Sequence, residues 1–415
     1  MKRHVVCFDG TWQTLSQDKI TNIGVIARSI AHHDRVPDAQ GHPIEQIVIY
    51  TQGVGAVIHA LPESSFLGSI EAEIERTSGG AFGEGVEDGI VQTYMRLAFN
   101  YEADDEIFIF GFSRGAFAAR SLAGMISSVG IVSRRYVEQS WNAFRLYRAR
   151  VDADWNDQQL ADYRESCRKF RFEYGKGRRG PDGERVQTDE VPPIKYMGLF
   201  DTVVQRGFPE LFGAIRMRRK YRFHNLDICD NVETARHALA IDEDRLGFPP
   251  TLWENLEEAN KKRGKLAVEQ RWFVGMHGDV GGGIGSKLSA VPLKWITDGA
   301  AAAGLRFYGT GDSPLKQTLE AAGINFDAPM GSVPLFWDGF SPMNYRWRPR
   351  RIWNRADIRP SETDIVVFDD NVAKRAWSRH VRPTYRPQSL RPFRNLLRDL
   401  AKKSLEEKDL RGKWF

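Results

Sequence analysis

Apolar residues along this chain fall into two rhythms. Residues 4–7 and 107–110 form short, nearly continuous apolar runs, as expected of strands buried on both faces of a sheet, and 45–50, 194–199 and 270–274 read as further strands. Residues 22–30, 86–101, 116–123 and 292–303 instead carry helical spacing, with Thr21 placed to cap the first and Gly304 to end the last. Strands alternating with helices predict an α/β fold, a mainly parallel sheet with helices on both faces. From 134 to 191 the pattern changes to charged, aromatic-rich helices around a polar turn at 175–183. That stretch reads as a helical insertion, either a cap over a site or a solvated excursion. Residues 307–371 are rich in Pro, Gly and Trp without a long periodic element, and a basic helix is expected near 395–408. The organisation predicted is an α/β domain over 1–305 and an irregular, basic extension over 306–415.

The chemistry is concentrated at the ends of the predicted strands. Gly111-Phe112-Ser113-Arg114-Gly115 joins the strand at 107–110 to the helix that begins near Ala116. G-x-S-x-G between a strand and a helix is the nucleophile-elbow pattern, in which two glycines permit a sharp turn that lifts the serine hydroxyl clear of the sheet. The helix that follows aims its first N–H groups at developing negative charge. Ser113 is the candidate nucleophile.

A serine hydroxyl needs a base, usually His, and a carboxylate to orient that base. In this architecture they follow in the order Ser, Asp or Glu, His, each just past a strand. Asp201 directly follows the run at 194–199, and His277 follows the run at 270–274 with Gly281-Gly282-Gly283 behind it. His380 is the rival base, in a basic tail with no strand before it; the other seven histidines are assigned surface or packing roles. Asp242, Asp244 and Asp279 compete with Asp201, the first two after a stretch that reads as helical. For the oxyanion, the backbone N–H of Arg114 is one donor, and Gly10 and Thr11, at the end of the first strand, supply the other.

Composition narrows the setting. Hydrophobic residues are 41% and charged residues 27% of 415 residues, ordinary values for a globular protein. No apolar run approaches the roughly 18–20 residues that cross a bilayer. The N-terminus enters a strand without a signal-peptide core, so a cytoplasmic location in the producing cell is expected. Cys7, Cys167 and Cys229 are widely spaced and suggest neither a disulfide framework nor a zinc site. The net charge of +5 is local: residues 376–415 hold eleven Lys or Arg against four Asp or Glu. No cofactor is expected.

Two other chemistries use the same residues. A strand followed by Asp9-Gly10-Thr11 resembles the loop of haloacid-dehalogenase-type phosphatases, but the attacking aspartate of that motif would fall on Cys7. A metallohydrolase would take Asp9, His277 and Asp279 as ligands and leave the elbow unexplained.

The order of short motifs is more specific. Phe8-Asp9-Gly10-Thr11-Trp12, Thr21-Asn22-Ile23, Gly53-Val54-Gly55, Gly79-Gly80-Ala81-Phe82-Gly83, Gly111 to Ala116, Phe200-Asp201-Thr202-Val203, Ala238 to Arg245, Phe248-Pro249-Pro250 and His277 to Gly283 run in sequence over about the first 305 residues. In this the chain resembles the catalytic domain of type VI secretion phospholipase effectors, a bacterial α/β-hydrolase family. The resemblance implies a Ser-Asp-His triad on Ser113, Asp201 and His277, and ester hydrolysis with glycerophospholipids as the substrate class. It also implies a secretion adaptor or immunity protein as partner, and delivery to another cell without a signal peptide.

The basic tail fits either an anionic membrane surface or a solvated C-terminal helix packed on the core. Tyr345 to Trp353 and the helix near 394–408 mix cations with aromatic and aliphatic groups. Nucleic acid is not expected, because no recognition motif accompanies the charge.

Overall fold

The computed structural model describes residues 1–11, 13–37, 41–53, 81–149, 155–180, 185–203, 227–243, 248, 250–327, 367–377 and 388–410. Trp12, Asp244, His380, the glycine pair at 79–80 and the aromatic-cationic stretch at 345–353 lie outside them. The central element is an eight-stranded sheet. Its strands are β1 (Lys2–Phe8), β2 (His33–Pro37), β3 (Pro43–Thr51), β4 (Glu106–Phe112), β7 (Ile194–Phe200), β8 (Val232–Ala240), β9 (Val268–Phe273) and β10 (Val367–Phe368), while β5 (Arg178–Arg179) and β6 (Arg185–Val186) pair separately. The order across the sheet is β10-β9-β8-β7-β4-β1-β3-β2, with only β2 antiparallel to its neighbour.

Alternation along the strands divides the core between the two faces. Val6, Phe8, Ile107, Ile109, Met197 and Leu199 face one side, under α2 (Ala81–Asn100) and α3 (Arg114–Val129). Val5, Cys7, Phe108, Phe110, Phe112 and Phe200 face the other. That side is covered by α1 (Asn22–Ser29), α8 (Ala290–Ala302) and α9 (Pro314–Ala321). Both layers are shut off from water, which is why the strands read as continuous apolar runs rather than as half-polar ones.

The chain leaves β1 toward β3 and then resumes on the other side of β1 with β4 and β7. The neighbouring ends of β1 and β4 therefore carry connections in opposite directions. Such a switch point opens a crevice at the carboxyl ends of the strands, where α/β proteins bind their ligands. Asp9-Gly10-Thr11 and Ser113 are the residues that stand there.

The insertion at 134–191 forms α4 (Ser140–Ala149) and α5 (Asp157–Tyr174), an outer layer on α3. A Cβ on Gly124 of α3 would lie 2.8 Å from the Tyr147 ring, so the two helices are in near-backbone contact. Arg171, near the end of α5, donates to the carbonyls of Ser128 and Asp189, at the end of α3 remote from Ser113. The described part of the insertion thus lies along α3 and not across the elbow.

Two expectations change. The stretch before Asp242 reads as helical but forms β8, in the interior of the sheet between β7 and β9. The extension does not stand apart from the sheet: β10 adds its outermost strand. Beside it, α10 (Asp370–Trp377) and α11 (Arg394–Ser404) bury Val372, Trp377, Leu397 and Ala401 with Leu239 and Trp272. Two shorter helices, α6 (Leu256–Arg263) and α7 (His277–Gly281), flank β9.

Candidate active site

Ser113 sits between β4 and α3 with φ 59° and ψ −124°, a conformation L-residues seldom adopt and one that costs on the order of 1–3 kcal/mol. The surroundings enforce it. Ser113 N–H donates to Phe200 O at 3.0 Å. A Cβ on Gly111 would fall 2.6 Å from Ala116 Cα, and one on Gly115 would fall 2.4 Å from the carbonyl oxygens of Phe8 and Asp9. Both glycines of the motif are needed because backbone packs directly on backbone.

His277 opens α7, just past β9. Its Nε2 lies 2.8 Å from Ser113 Oγ and its Nδ1 lies 2.7 Å from Asp201 Oδ2. Asp201 is fully buried at the end of β7 with φ 37°, and its Oδ1 accepts the Ala240 N–H at 3.0 Å. Its own N–H donates to Ala238 O at 2.7 Å. A carboxylate facing Nδ1 selects the tautomer with the proton there, so Nε2 is left to accept from the serine hydroxyl. Phe112 and Phe248 hold the imidazole from two sides, with ring centroids 4.7 and 5.1 Å away.

The competing carboxylates sit close by but on backbone. Asp242 Oδ2 accepts the Gly275 N–H at 2.7 Å, and Asp279 Oδ2 accepts the Met276 N–H at 2.9 Å. Buried Glu243 accepts the His277 N–H at 3.2 Å. These three fix the segment that carries the ring, while Asp201 alone of the four faces Nδ1 in the hydrogen bonds described. Sequence reasoning missed Glu243, Phe112 and Phe248 as parts of the site, since nothing in their local pattern announces a contact with residue 277.

Among the described residues no group of three His, Cys, Asp or Glu is placed to hold a metal ion, and Asp9 is taken up by hydrogen bonds. Its Oδ1 accepts from Gly10 N–H and Thr21 Oγ, both at 2.7 Å, and its Oδ2 from the Tyr50 hydroxyl at 2.6 Å. Burial raises the carboxyl above its ordinary value, and these three hydrogen bonds oppose the rise. The same contacts correct the oxyanion expectation. Gly10 N–H points to Asp9, which leaves the backbone of Thr11 and Arg114 as the expected donors. Thr21 also caps α1 through Gly24 N–H, and Asn22 Nδ2 donates to the carbonyls of Val280 and Ser289. The dispersed motifs thereby meet around one site.

The geometry makes Gly281→Ala an informative variant. Its Cβ would fall 2.0–2.3 Å from the Phe112 ring, the ring that packs on His277. Overpacking of this kind costs about 1–3 kcal/mol or more. Thermal melting should drop and ester hydrolysis should fall with it; a variant with wild-type melting and rate would show that Phe112 can move aside freely.

A family model described as "T6SS, Phospholipase effector Tle1-like, catalytic domain" matches residues 2–299. The chain belongs to this family. An uncharacterized protein of Saccharomyces cerevisiae is 27% identical over 248 residues, covering 60% of this chain and 32% of that protein. Two solved structures are also similar. The crystal structure of an uncharacterized protein from Pseudomonas aeruginosa has 16% identity and a TM-score of 0.38, covering 79% of this chain and 49% of that one. The Tle1 effector bound to the VgrG spike of the type 6 secretion system has 18% identity and a TM-score of 0.34, covering 69% and 52%. This Tle1-like chain thus spans about a third of the yeast relative and about half of the two solved chains. Among its described residues no helix is long and apolar enough to cross a membrane.

Proposed function

We propose that this Tle1-like chain hydrolyses carboxylic esters of glycerophospholipids through an acyl-enzyme on Ser113. The observation that carries the reading is the continuous array Ser113 Oγ, His277 Nε2, His277 Nδ1, Asp201 Oδ2, with separations of 2.8 and 2.7 Å. In it, Ser113 Oγ attacks the ester carbonyl carbon and its proton passes to His277 Nε2. The imidazolium, held by Asp201, then protonates the departing lysophospholipid oxygen as the C–O bond breaks. Water, deprotonated by the same histidine, attacks the acyl-serine; as the acyl C–O bond breaks, the imidazolium returns a proton to Ser113 Oγ and the fatty acid is released. Every step uses groups of this chain, and the reading requires no cofactor.

Family membership supports the lipid substrate and a role as a secreted antibacterial effector, with a secretion adaptor and an immunity protein as partners. The experiment is direct. The protein is incubated with phosphatidylethanolamine–phosphatidylglycerol vesicles, and lysophospholipid and fatty acid are quantified by mass spectrometry against Ser113→Ala. Release of both products by the wild type alone supports the reading; hydrolysis of soluble esters without lipid products would make this a soluble-substrate esterase.

The C-terminal helix bears on membrane binding. Its apolar side, Leu397 and Ala401, is buried against the body, while Arg394, Arg398 and Lys402 form an exposed stripe one turn apart. Arg398 lies over the Trp377 ring at 5.5 Å. The helix therefore offers charge to an anionic surface and not an apolar face for insertion. Each Lys or Arg near such a surface contributes about 1 kcal/mol. Reversing the three cations to Glu should weaken binding to anionic vesicles at least about 10-fold and leave soluble-ester turnover unchanged. Binding of the wild type should fade as salt rises through about 0.15 M, where the Debye length is near 8 Å. Vesicle binding that ignores both charge and salt would remove the helix from the account. Removing residues 391–415 outright is a poorer test, because Phe393, Leu397, Ala401 and Leu410 help to cover Trp272.

A further inference from the structure

After β1 stand two buried polar atoms without hydrogen-bond partners among the described residues, Thr11 Oγ1 and Gln13 Oε1. Two backbone hydrogen bonds hold Gln13. Gln13 N–H donates to Gly10 O at 3.0 Å, and Gly53 N–H donates to Gln13 O at 3.1 Å. A Cβ on Gly53 would lie 2.9 Å from Thr11 Cα, and one on Gly10 would lie 2.7 Å from the Phe112 ring. Gly10 and Thr11 are therefore wedged between β3 and the residue that precedes Ser113. Buried polar atoms in folded proteins nearly always have partners. Of the two, the Thr11 hydroxyl can donate, and an orphan donor near a nucleophile points to a substrate oxygen that completes it.

The loop also lacks one expected donor, since Gly10 N–H is engaged by Asp9 Oδ1. We propose that the Thr11 hydroxyl donates to the oxyanion of the tetrahedral intermediate, beside the backbone N–H groups of Thr11 and Arg114. Thr11 as a residue is half-buried while its Oγ1 is covered, so the part open to solvent belongs to its other atoms. A turn of about 120° about χ1, from one staggered well to the next, moves the hydroxyl into the place of another Cβ substituent, where it can meet a bound ester. The ligand is the carbonyl oxygen of the ester, which becomes an anion when Ser113 Oγ bonds to carbon and the C=O π pair moves onto oxygen. The hydroxyl keeps its proton and stabilises that charge. An interaction that strengthens only as the charge develops raises kcat and leaves KM alone.

This inference rests on the acyl-enzyme reading, and the test separates the two. Thr11→Val removes the hydroxyl and keeps both shape and backbone; Thr11→Ser keeps the hydroxyl. Both are compared with wild type and Ser113→Ala for hydrolysis of a soluble p-nitrophenyl ester, for rate of fluorophosphonate labelling and for thermal melting. Thr11→Val should lose about 10²-fold in kcat with KM unchanged and melting not lowered, while Thr11→Ser stays within a few-fold of wild type. Labelling of Thr11→Val should slow in parallel, because the phosphoryl oxygen occupies the same hole. Wild-type kcat in Thr11→Val beside an inactive Ser113→Ala overturns the proposal and leaves the reading standing. An active Ser113→Ala overturns the reading itself. If Thr11→Val fails to fold, Thr11→Ala is put through the same assays with the same two outcomes.

Discussion

Ser113→Ala should fold and melt like the wild type and lose about 10⁵–10⁶ in kcat on a soluble ester. The size follows from the cooperative behaviour of such triads, in which removing the nucleophile alone costs nearly as much as removing every member. Stability should be unaffected for a structural reason. Ser113 makes its conformation-fixing contact through its backbone N–H to Phe200 O, and its hydroxyl meets His277. Alanine keeps the first and loses only the second. The positive φ is strained for either residue, so the substitution adds no new backbone cost. The check is kinetic, with circular dichroism and a melting curve beside it. Retained turnover would mean that another group attacks the ester.

Asp201→Asn should leave the fold intact and lower kcat about 10⁴-fold. An amide in this place presents either N–H or carbonyl oxygen to His277 Nδ1. The Ala240 N–H already occupies one oxygen of the carboxylate, and an asparagine would keep its carbonyl there. Its NH₂ would then face Nδ1, which would have to accept and leave the ring proton on Nε2. A protonated Nε2 cannot take the proton of Ser113. The loss should therefore appear in kcat, with KM much less altered. If the variant turns over normally, Glu243 or Asp242 must serve, and the hydrogen bonds those two make to backbone would have to be broken first.

Much of this was readable from residue order because the sheet imposes it. The elbow and Asp201 follow the mostly apolar strands β4 and β7, and such strands are the clearest local signal in an α/β protein; His277 follows β9, whose Glu269, Gln270 and Arg271 make a weaker one. The failure at β8 has the same physics in reverse. Val232-Glu233-Thr234-Ala235-Arg236-His237-Ala238-Leu239-Ala240 is rich in good helix formers, and its Ala residues read as helix. In the sheet they are the small side chains that let β7, β8 and β9 lie under helices, and position in the sheet overrides propensity. His237, buried in that strand, is a packing residue as expected: Nε2 faces Thr202 N and Oγ at 3.2 and 3.0 Å. The cradle of His277 was unreadable for another reason. Phe112, Phe248 and Glu243 are brought to it from three separate stretches of chain, and no local rhythm encodes that meeting. The status of Gly10 turned on a bond between neighbours, Gly10 N–H to Asp9 Oδ1, which only the turn geometry reveals.

The central claim is that Ser113 becomes covalently acylated. Its most direct test is intact-mass and peptide-mapping spectrometry after exposure to a fluorophosphonate. The account predicts one adduct per chain, on the peptide that contains Ser113, lost in Ser113→Ala and strongly slowed when His277 is replaced by alanine. An unlabelled chain that still cleaves ester, or an adduct on another serine with Ser113→Ala fully active, would contradict it.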